Sequence, residues 1–512
     1  MGERAMSRRG MLRLLGLGGF SFLMDSCKPF FIPDAEQSRI PAADQSPVDV
    51  EIALTAIPDR IQIFPGELTT VWRYKGELIS GPPDTLVNIP NSYLGPIINV
   101  KRGQLLRVHF RNELPEPSII HWHGLHVPPA ADGHPRLVID QGESYVYEFE
   151  VKDRAGTYWY HPHPHSRTGP QVYAGLAGLF IVSDQEESGL NLPDGEFDLP
   201  LVIQDRDFNQ NNQLVYSSGH MMDRMVGFLG RQILVNGKPQ YELSAAARPY
   251  RLRLLNGSNA RIYKLAWDDG TPLTIIGTDG GLLADPVQRE YVTLAPAQRI
   301  ELLADFSGDL IGSKRNLISL PFDGFGGQET YSVLRIQVEE EAKGNFDLPE
   351  SLSDYQNLNV QEAVNYSSPR SFLMAMGQGM SWTINKRTFD MKDVARDEVV
   401  KLNDLEVWEF QNQPGSGMGM MGAMSLPHPM HLHGLQFQIL EREIAASSQA
   451  GWKTLSDGYV DEGWHDTVLV YPGEKVRILV KFEDFTGLYL YHCHNLEHED
   501  MGMMRNYRVD PA

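Results

Sequence analysis

Apolar and polar residues alternate with period two over many short stretches, the pattern of half-buried β-strands. Residues 104–111 place Leu106, Val108 and Phe110 on one face and Arg107, His109 and Arg111 on the other. Residues 145–151 likewise place Tyr145, Tyr147, Phe149 and Val151 on one face. Helical periodicity is scarce, and 47 Gly and 33 Pro punctuate the runs at short intervals. The pattern predicts an all-β chain built of sandwiches.

A weak internal repeat sets the number of sandwiches. Residues 142–163, GESYVYEFEVKDRAGTYWYHPH, align without a gap to residues 473–494, GEKVRILVKFEDFTGLYLYHCH. Residues 296–306, PAQRIELLADF, match the start of the later copy, PGEKVRILVKF at 472–482. Three domains are therefore expected, at 50–185, 196–340 and 365–512. Residues 28–48 read as a loose N-terminal arm and the polar stretch 343–364 as a linker.

Composition narrows the setting. The chain has 512 residues, 42% of them hydrophobic, enough for three cores. A formal net charge of −21 argues against a nucleic-acid partner, because phosphates would be repelled. Ser7-Arg8-Arg9-Gly10-Met11-Leu12 is a twin-arginine pattern, followed by a short apolar stretch at 11–24. Residues 1–27 are thus expected to be a twin-arginine export signal, and the mature protein periplasmic or on the cell surface. Cys27 stands where a lipoprotein carries its acylated cysteine, although Met24-Asp25-Ser26 fits a lipobox poorly. The other cysteine, Cys493, has no plausible disulfide partner, and in an exported chain that points to a metal ligand.

The histidines carry the chemistry. With 16 in the chain, about half an H-x-H pair arises by chance. The chain has His121/His123, His161/His163, His163/His165, His431/His433 and His492/His494, and no histidine between 221 and 427. On a strand, residues i and i+2 share a face, so each pair aims two imidazoles at one point. Imidazole nitrogen suits copper, zinc, iron and nickel. In His492-Cys493-His494 the alternation sends both rings to one side and the sulfur to the other. His498 and Met503 follow at five-residue steps, and His428 precedes His431 by three. Two imidazoles, a thiolate and a weak thioether form the ligand set of a blue-copper centre.

These motifs, His121-Trp-His-Gly, His161-Pro-His, His428-Pro-Met-His-Leu-His-Gly and His492-Cys-His-Asn-Leu-Glu-His-Glu-Asp-Met-Gly-Met, resemble the four motifs of the multicopper oxidases, in order. The similarity covers nearly the whole mature chain and is nearest to the bacterial laccase and copper-efflux oxidase branch. It implies three cupredoxin-like Greek-key β-sandwiches and four copper ions: one type 1, one type 2 and a type 3 pair. Carried over by position, type 1 takes His428, Cys493 and His498 with Met503 axial, and type 2 takes His121 and His431. The type 3 pair takes His123, His161, His163, His433, His492 and His494. Glu499 and Asp132 match acidic positions that supply protons. His165 matches no ligand position, and His109, His126, His134, His220 and His465 read as structural or surface residues. In the first domain Ser118, Pro162 and Arg167 stand at the positions of His428, Cys493 and His498, so no type 1 centre is expected there. The middle domain reads as a spacer, with the trinuclear cluster between its neighbours.

The resemblance implies a laccase-type enzyme that takes single electrons from a small-molecule donor, such as a phenol, and reduces O₂ to water, with donors entering at an exposed edge of His428. The alternative is a cuprous oxidase for periplasmic copper detoxification. Residues 415–424 contain Met418, Met420, Met421 and Met424, with Met430 beyond, and thioethers favour Cu(I). Against it, residues 343–370 carry no methionine, where the copper-efflux branch has a methionine-rich insert. A ligand-free scaffold is disfavoured because every ligand position is filled.

Overall fold

The computed structural model describes residues 46–216, 221–341, 346–377, 381–413 and 426–512. The expected export signal, Cys27 and the methionine-rich stretch 415–424 lie outside the described residues. Among the described residues no helix is long and apolar enough to cross a membrane.

Six sheets pack in three pairs. The first pair combines a four-stranded and a five-stranded sheet between Val50 and Ser183. A seven-stranded and a five-stranded sheet follow between Asp198 and Glu340. Two five-stranded sheets between Arg370 and Asp510 complete the chain. Each pair closes over its own apolar core, as the alternating pattern requires. Strand Leu105–Asn112 buries Leu106, Val108 and Phe110 completely. Arg107, on the opposite face, is buried too, because Glu148 accepts from its Nε at 2.7 Å.

The pairings show one fold used three times. In each first sheet, the opening strand runs parallel to a later one: Val50–Ile61 with Leu105–Asn112, Asp198–Arg206 with Pro249–Asn256, and Arg370–Met376 with Leu405–Asn412. In each second sheet, a parallel pair recurs: Ile97–Lys101 with Gly178–Ser183, Glu242–Ala246 with Tyr331–Glu340, and Val399–Lys401 with Met504–Asp510. Parallel neighbours cannot be joined by a hairpin, so these pairs mark the crossover connections of a Greek-key, cupredoxin-like sandwich.

Register then positions the histidines. Ile120–His123 pairs antiparallel with Gly156–Pro162, and His121 lies opposite His161. His428–Leu432 pairs antiparallel with Gly487–Cys493, and His431 lies opposite His492. The period of two sends the residues between the histidines inward. Trp122 packs against Tyr147, Tyr160 and Phe180 in the first core, and Cys493 is buried in the third.

The middle sandwich is joined to the first through a buried ionic knot. Glu301 accepts from Arg251 Nε at 2.8 Å, from Arg253 Nη1 at 2.9 Å and from the hydroxyl of Thr157 at 2.7 Å. Burial alone would raise the Glu301 pKa, but the two guanidinium groups and Thr157 bring it down to about 2. A depressed carboxylate pKa contributes stability that is complete above the ordinary value of 4.5 and is lost as pH falls through about 2. Glu301→Gln leaves both guanidinium groups buried with less compensation, and should cost about 3–5 kcal/mol in chemical denaturation near neutral pH. The variant should also lose stability less steeply than the parent between pH 4.5 and pH 2.

Candidate metal centres

Eight imidazoles meet where the first and third sandwiches touch, and all are buried. His433 Nε2 lies 3.0 Å from His492 Nε2, which lies 3.3 Å from His163 Nε2. His161 Nε2 lies 3.5 Å from His494 Nε2 and 3.4 Å from His123 Nδ1. His121 Nε2 lies 3.3 Å from His431 Nε2. On five of the rings the second nitrogen is already occupied, whereas Nδ1 of His163 and of His494 has no hydrogen-bond partner among the described residues. Nδ1 of His121 donates to the Asp132 carbonyl, that of His161 to the Pro162 carbonyl, that of His431 to the Asp466 carbonyl, and that of His433 to Asp132 Oδ2. His492 Nδ1 donates to the Cys493 carbonyl at 3.2 Å.

Burial pushes His123, His161, His163, His433 and His494 well below the usual imidazole range, and His431 to about 4. Those six rings are therefore neutral near pH 7, each with one proton. Where that proton is spent on an outer oxygen, the inward nitrogen carries only a lone pair. His433 and His492 thus face each other across 3.0 Å with no proton between them, and a cation is what satisfies such a pair.

A second cluster lies inside the third sandwich. Cys493 Sγ is 3.4 Å from His428 Nδ1 and 3.6 Å from His498 Nδ1, and those two nitrogens are 3.2 Å apart. Met503 is fully buried in the same core, and its carbonyl accepts from the Cys493 amide at 3.0 Å. Burial pushes the Cys493 thiol up and His428 down to about 3. A buried thiol that resists ionisation, beside two neutral imidazoles, suits a soft transition metal, which holds sulfur as thiolate.

The two acidic residues expected from the sequence both reach the ligand rings. Glu499 lies 3.2 Å from His492 Nδ1 and 3.6 Å from His163 Nε2. Asp132 supports His121 with its carbonyl and His433 with its carboxylate. The remaining described histidines are engaged elsewhere, His109 with Glu51, His126 with Asp484, His134 with Asn506, and His465 with the Glu462 carbonyl, and His220 lies outside the described residues. His165 contacts Ser166 and packs on Phe389. In the first sandwich Ser118 is buried and donates to Gln171, and among the described residues no cluster able to hold a metal forms around it.

Two expectations change. His428 is only 1% exposed, so no ring edge of it meets solvent. Trp382 packs on both His428 and His498, with ring centroids 5.0 and 4.4 Å away, and its Nε1 donates to the Met225 carbonyl. That carbonyl also accepts from His498 Nε2 at 2.9 Å. The middle sandwich, moreover, is not merely a spacer. Met225 belongs to it, and Arg299 from it forms a buried ion pair with Asp466, whose carboxylate accepts from His123 Nε2 at 2.9 Å. Sequence reasoning missed Asp466, Arg299, Met225 and Trp382. The signal available for Arg299 was its place in the repeated segment 296–306.

The comparisons agree with this geometry. Family profiles described as multicopper oxidase match residues 73–187 and 363–512. The multicopper oxidase mco of Staphylococcus haemolyticus is 35% identical over 416 residues, covering 81% of this chain and 82% of that protein. A laccase of Bacillus subtilis is 31% identical, covering 83% of this chain and 90% of that protein. The crystal structure of McoA multicopper oxidase from the hyperthermophile Aquifex aeolicus aligns with a TM-score of 0.77 at 35% identity, over 91% of this chain and 97% of that one. With this similarity along most of its length, and with buried imidazoles and a thiol grouped to hold copper, the chain belongs to the multicopper oxidases.

Proposed function

We propose that the enzyme is a laccase-type oxidase carrying four copper ions per chain. His428, Cys493 and His498, with Met503 beside them, would hold the type 1 ion. His121 and His431 hold type 2, and His123, His161, His163, His433, His492 and His494 hold the type 3 pair. The observation that carries this reading is the set of inward imidazole nitrogens 3.0–3.5 Å apart, five of them on rings whose other nitrogen already bonds an outer oxygen. Copper supplies the redox chemistry that couples four one-electron oxidations of a phenolic or related donor to reduction of O₂ to two water molecules.

The protein's own part is positioning, exclusion of water and proton supply. Cys493 is bonded through the backbone to His492 and His494, so the two clusters are joined covalently. Burial of every ligand keeps bulk water from the rings. Each O₂ consumes four protons, and Glu499 and Asp132 are placed to hold them at carboxylate oxygens against His492, His163 and His433. Asp132 Oδ1 accepts no hydrogen bond, which leaves an oxygen free to take a proton. The twin-arginine pattern supports export to the periplasm or cell surface, with Cys27 as a candidate lipid anchor.

A second reading is favoured by one observation: with His428 and His498 buried under Trp382 and Met225, an aromatic donor has no imidazole edge to bond. A Cu(I) donor needs only thioethers nearby, and the stretch ending at Met424 leads directly to His428.

Cys493→Ser should abolish both the blue absorption and donor oxidation, while the histidine cluster still binds copper. A variant that stays blue rules out Cys493 as the type 1 ligand. Glu499→Gln keeps size and polarity but removes the titratable proton. Rapid mixing of the reduced variant with O₂ should show slower reoxidation, with reduction of the blue centre by donor nearly unchanged. Replacing Met418, Met420, Met421 and Met424 with Leu separates the two donor readings. If Cu(I) is the donor, its oxidation should fall about tenfold or more, equivalent to about 1.4 kcal/mol, while phenol oxidation holds. Both activities moving together would favour the laccase reading.

A further inference from the structure

One ring in the trinuclear cluster is turned the other way. His121, His161, His431, His433 and His492 give Nδ1 to an outer oxygen and keep Nε2 inward. His123 instead gives Nε2 to Asp466 Oδ1 at 2.9 Å and brings Nδ1 to 3.4 Å from His161 Nε2. A neutral imidazole has one proton, so the group that accepts it decides which nitrogen is left for the metal.

Asp466 is built to be that acceptor. Its Oδ1 takes three donors at 2.9 Å: His123 Nε2, Arg299 Nη1 and the Thr467 hydroxyl. Its Oδ2 is held by Arg299 Nη2. Its main-chain carbonyl accepts from His431 Nδ1 at 2.8 Å, so this one residue orients both His123 and His431. Arg299 in turn has all five guanidinium protons placed. Nε donates to the Thr157 carbonyl of the first sandwich, Nη1 to Ala297 and Asp466, and Nη2 to Asp279 and Asp466. A fully bonded fork cannot swing, and it holds the Asp466 carboxylate in one plane. Both residues are completely buried.

The adjoining backbone makes room for the pair. Gly124 follows His123 at φ +87°, and a Cβ there would lie 2.4 Å from Asp466 Oδ2 and 2.7 Å from Arg299 Nη2. The glycine of the His-Trp-His-Gly motif is thus required by the ion pair as well as by the turn.

We propose that Asp466, anchored by Arg299 of the middle sandwich, is a positioning residue that selects the tautomer of His123 and so makes Nδ1 its metal-binding nitrogen. The middle sandwich, which carries no ligand itself, sets the geometry of a ligand at the interface of the other two. This rests on the copper reading above, which the parent protein's own blue band and copper content test separately.

Two replacements of Asp466 distinguish positioning from simple ion pairing. Asp466→Asn and Asp466→Leu are similar in size, and both remove the same charge from beside Arg299, leaving it only the Asp279 carboxylate 3.5 Å away. Only Asn retains an oxygen that can accept from His123 Nε2. The blue band reports the type 1 site as an internal control, and thermal unfolding reports the loss of the ion pair. Metal analysis and the type 2 electron paramagnetic resonance signal report the cluster. Asp466→Asn and Asp466→Leu should unfold at similarly lowered temperatures and both stay blue. Asp466→Leu alone should bind cluster copper about 10- to 100-fold more weakly, with a changed type 2 signal. If the two variants hold cluster copper equally, Asp466 acts only through charge and the proposal fails. Arg299→Lys tests the anchor in a milder background, since it keeps the charge and loses the fork. It should stay folded and blue with an altered type 2 signal; a signal and copper affinity identical to the parent's would overturn the part given to the middle sandwich.

Discussion

The structure depends on keeping eight buried imidazoles in one dry interface with ring nitrogens converging. An unsatisfied buried N–H costs roughly 1–3 kcal/mol, and six of the eight rings avoid that cost by bonding an outer oxygen, while Nδ1 of His163 and of His494 has no partner among the described residues. The outer oxygens are therefore as necessary as the nitrogens. Main-chain carbonyls of Asp132, Pro162, Asp466 and Cys493 supply four of them; Pro162 and Cys493 end strands that carry the histidines, and Asp132 and Asp466 lie in the adjoining turns. Backbone acceptors cannot ionise or rotate away, so tautomer and fold are specified together.

The same requirement explains why three sandwiches cooperate at a site whose ligands come from two. The five-residue helix Leu496–Asp500, which contains His498, is held from outside its own domain. Glu497 accepts from the Tyr216 hydroxyl at 2.6 Å, from Asn259 Nδ2 at 2.9 Å and from the Phe228 amide at 3.0 Å. Asp500 accepts from the amides of Thr168 and Gly169 in the first sandwich. A short helix has little stability of its own, so its position is dictated by these contacts. The middle sandwich fixes the far side of the His498 ring through the Met225 carbonyl, and the His123 ring through Arg299 and Asp466.

Much of this was legible in the sequence, for reasons that also show where legibility ends. Strand alternation and the H-x-H spacing reveal which side chains share a face, because both are local and have period two. The separation of Cys493 from His492 and His494 follows from the same rule, as does the placement of Trp122 in the core. Asp466 and Arg299 are 167 residues apart, and their pairing is a property of domain packing that no local pattern encodes. Arg299 was visible only as a letter in a repeat, and its repeat partners gave no hint of a buried fork. The exposed edge expected at His428 failed similarly, since Trp382 and Met225 reach it from distant segments.

That failure bears on how donor choice is encoded. The ligand set proposed above does not by itself select between a phenol and Cu(I), since either donor would deliver its electron to the same two imidazoles, thiolate and thioether. Discrimination has to come from whatever lies between those ligands and solvent. Here that layer is assembled from a middle-domain carbonyl and an indole 46 residues before His428, neither of which belongs to a copper motif. A layer drawn from such segments can change without disturbing the tautomers beneath it, since His498 needs only a carbonyl oxygen and not the Met225 side chain. The ligand geometry and the donor preference of this fold are therefore separable. The first is set by the strands that pair His431 with His492, and the second by what covers His428 and His498.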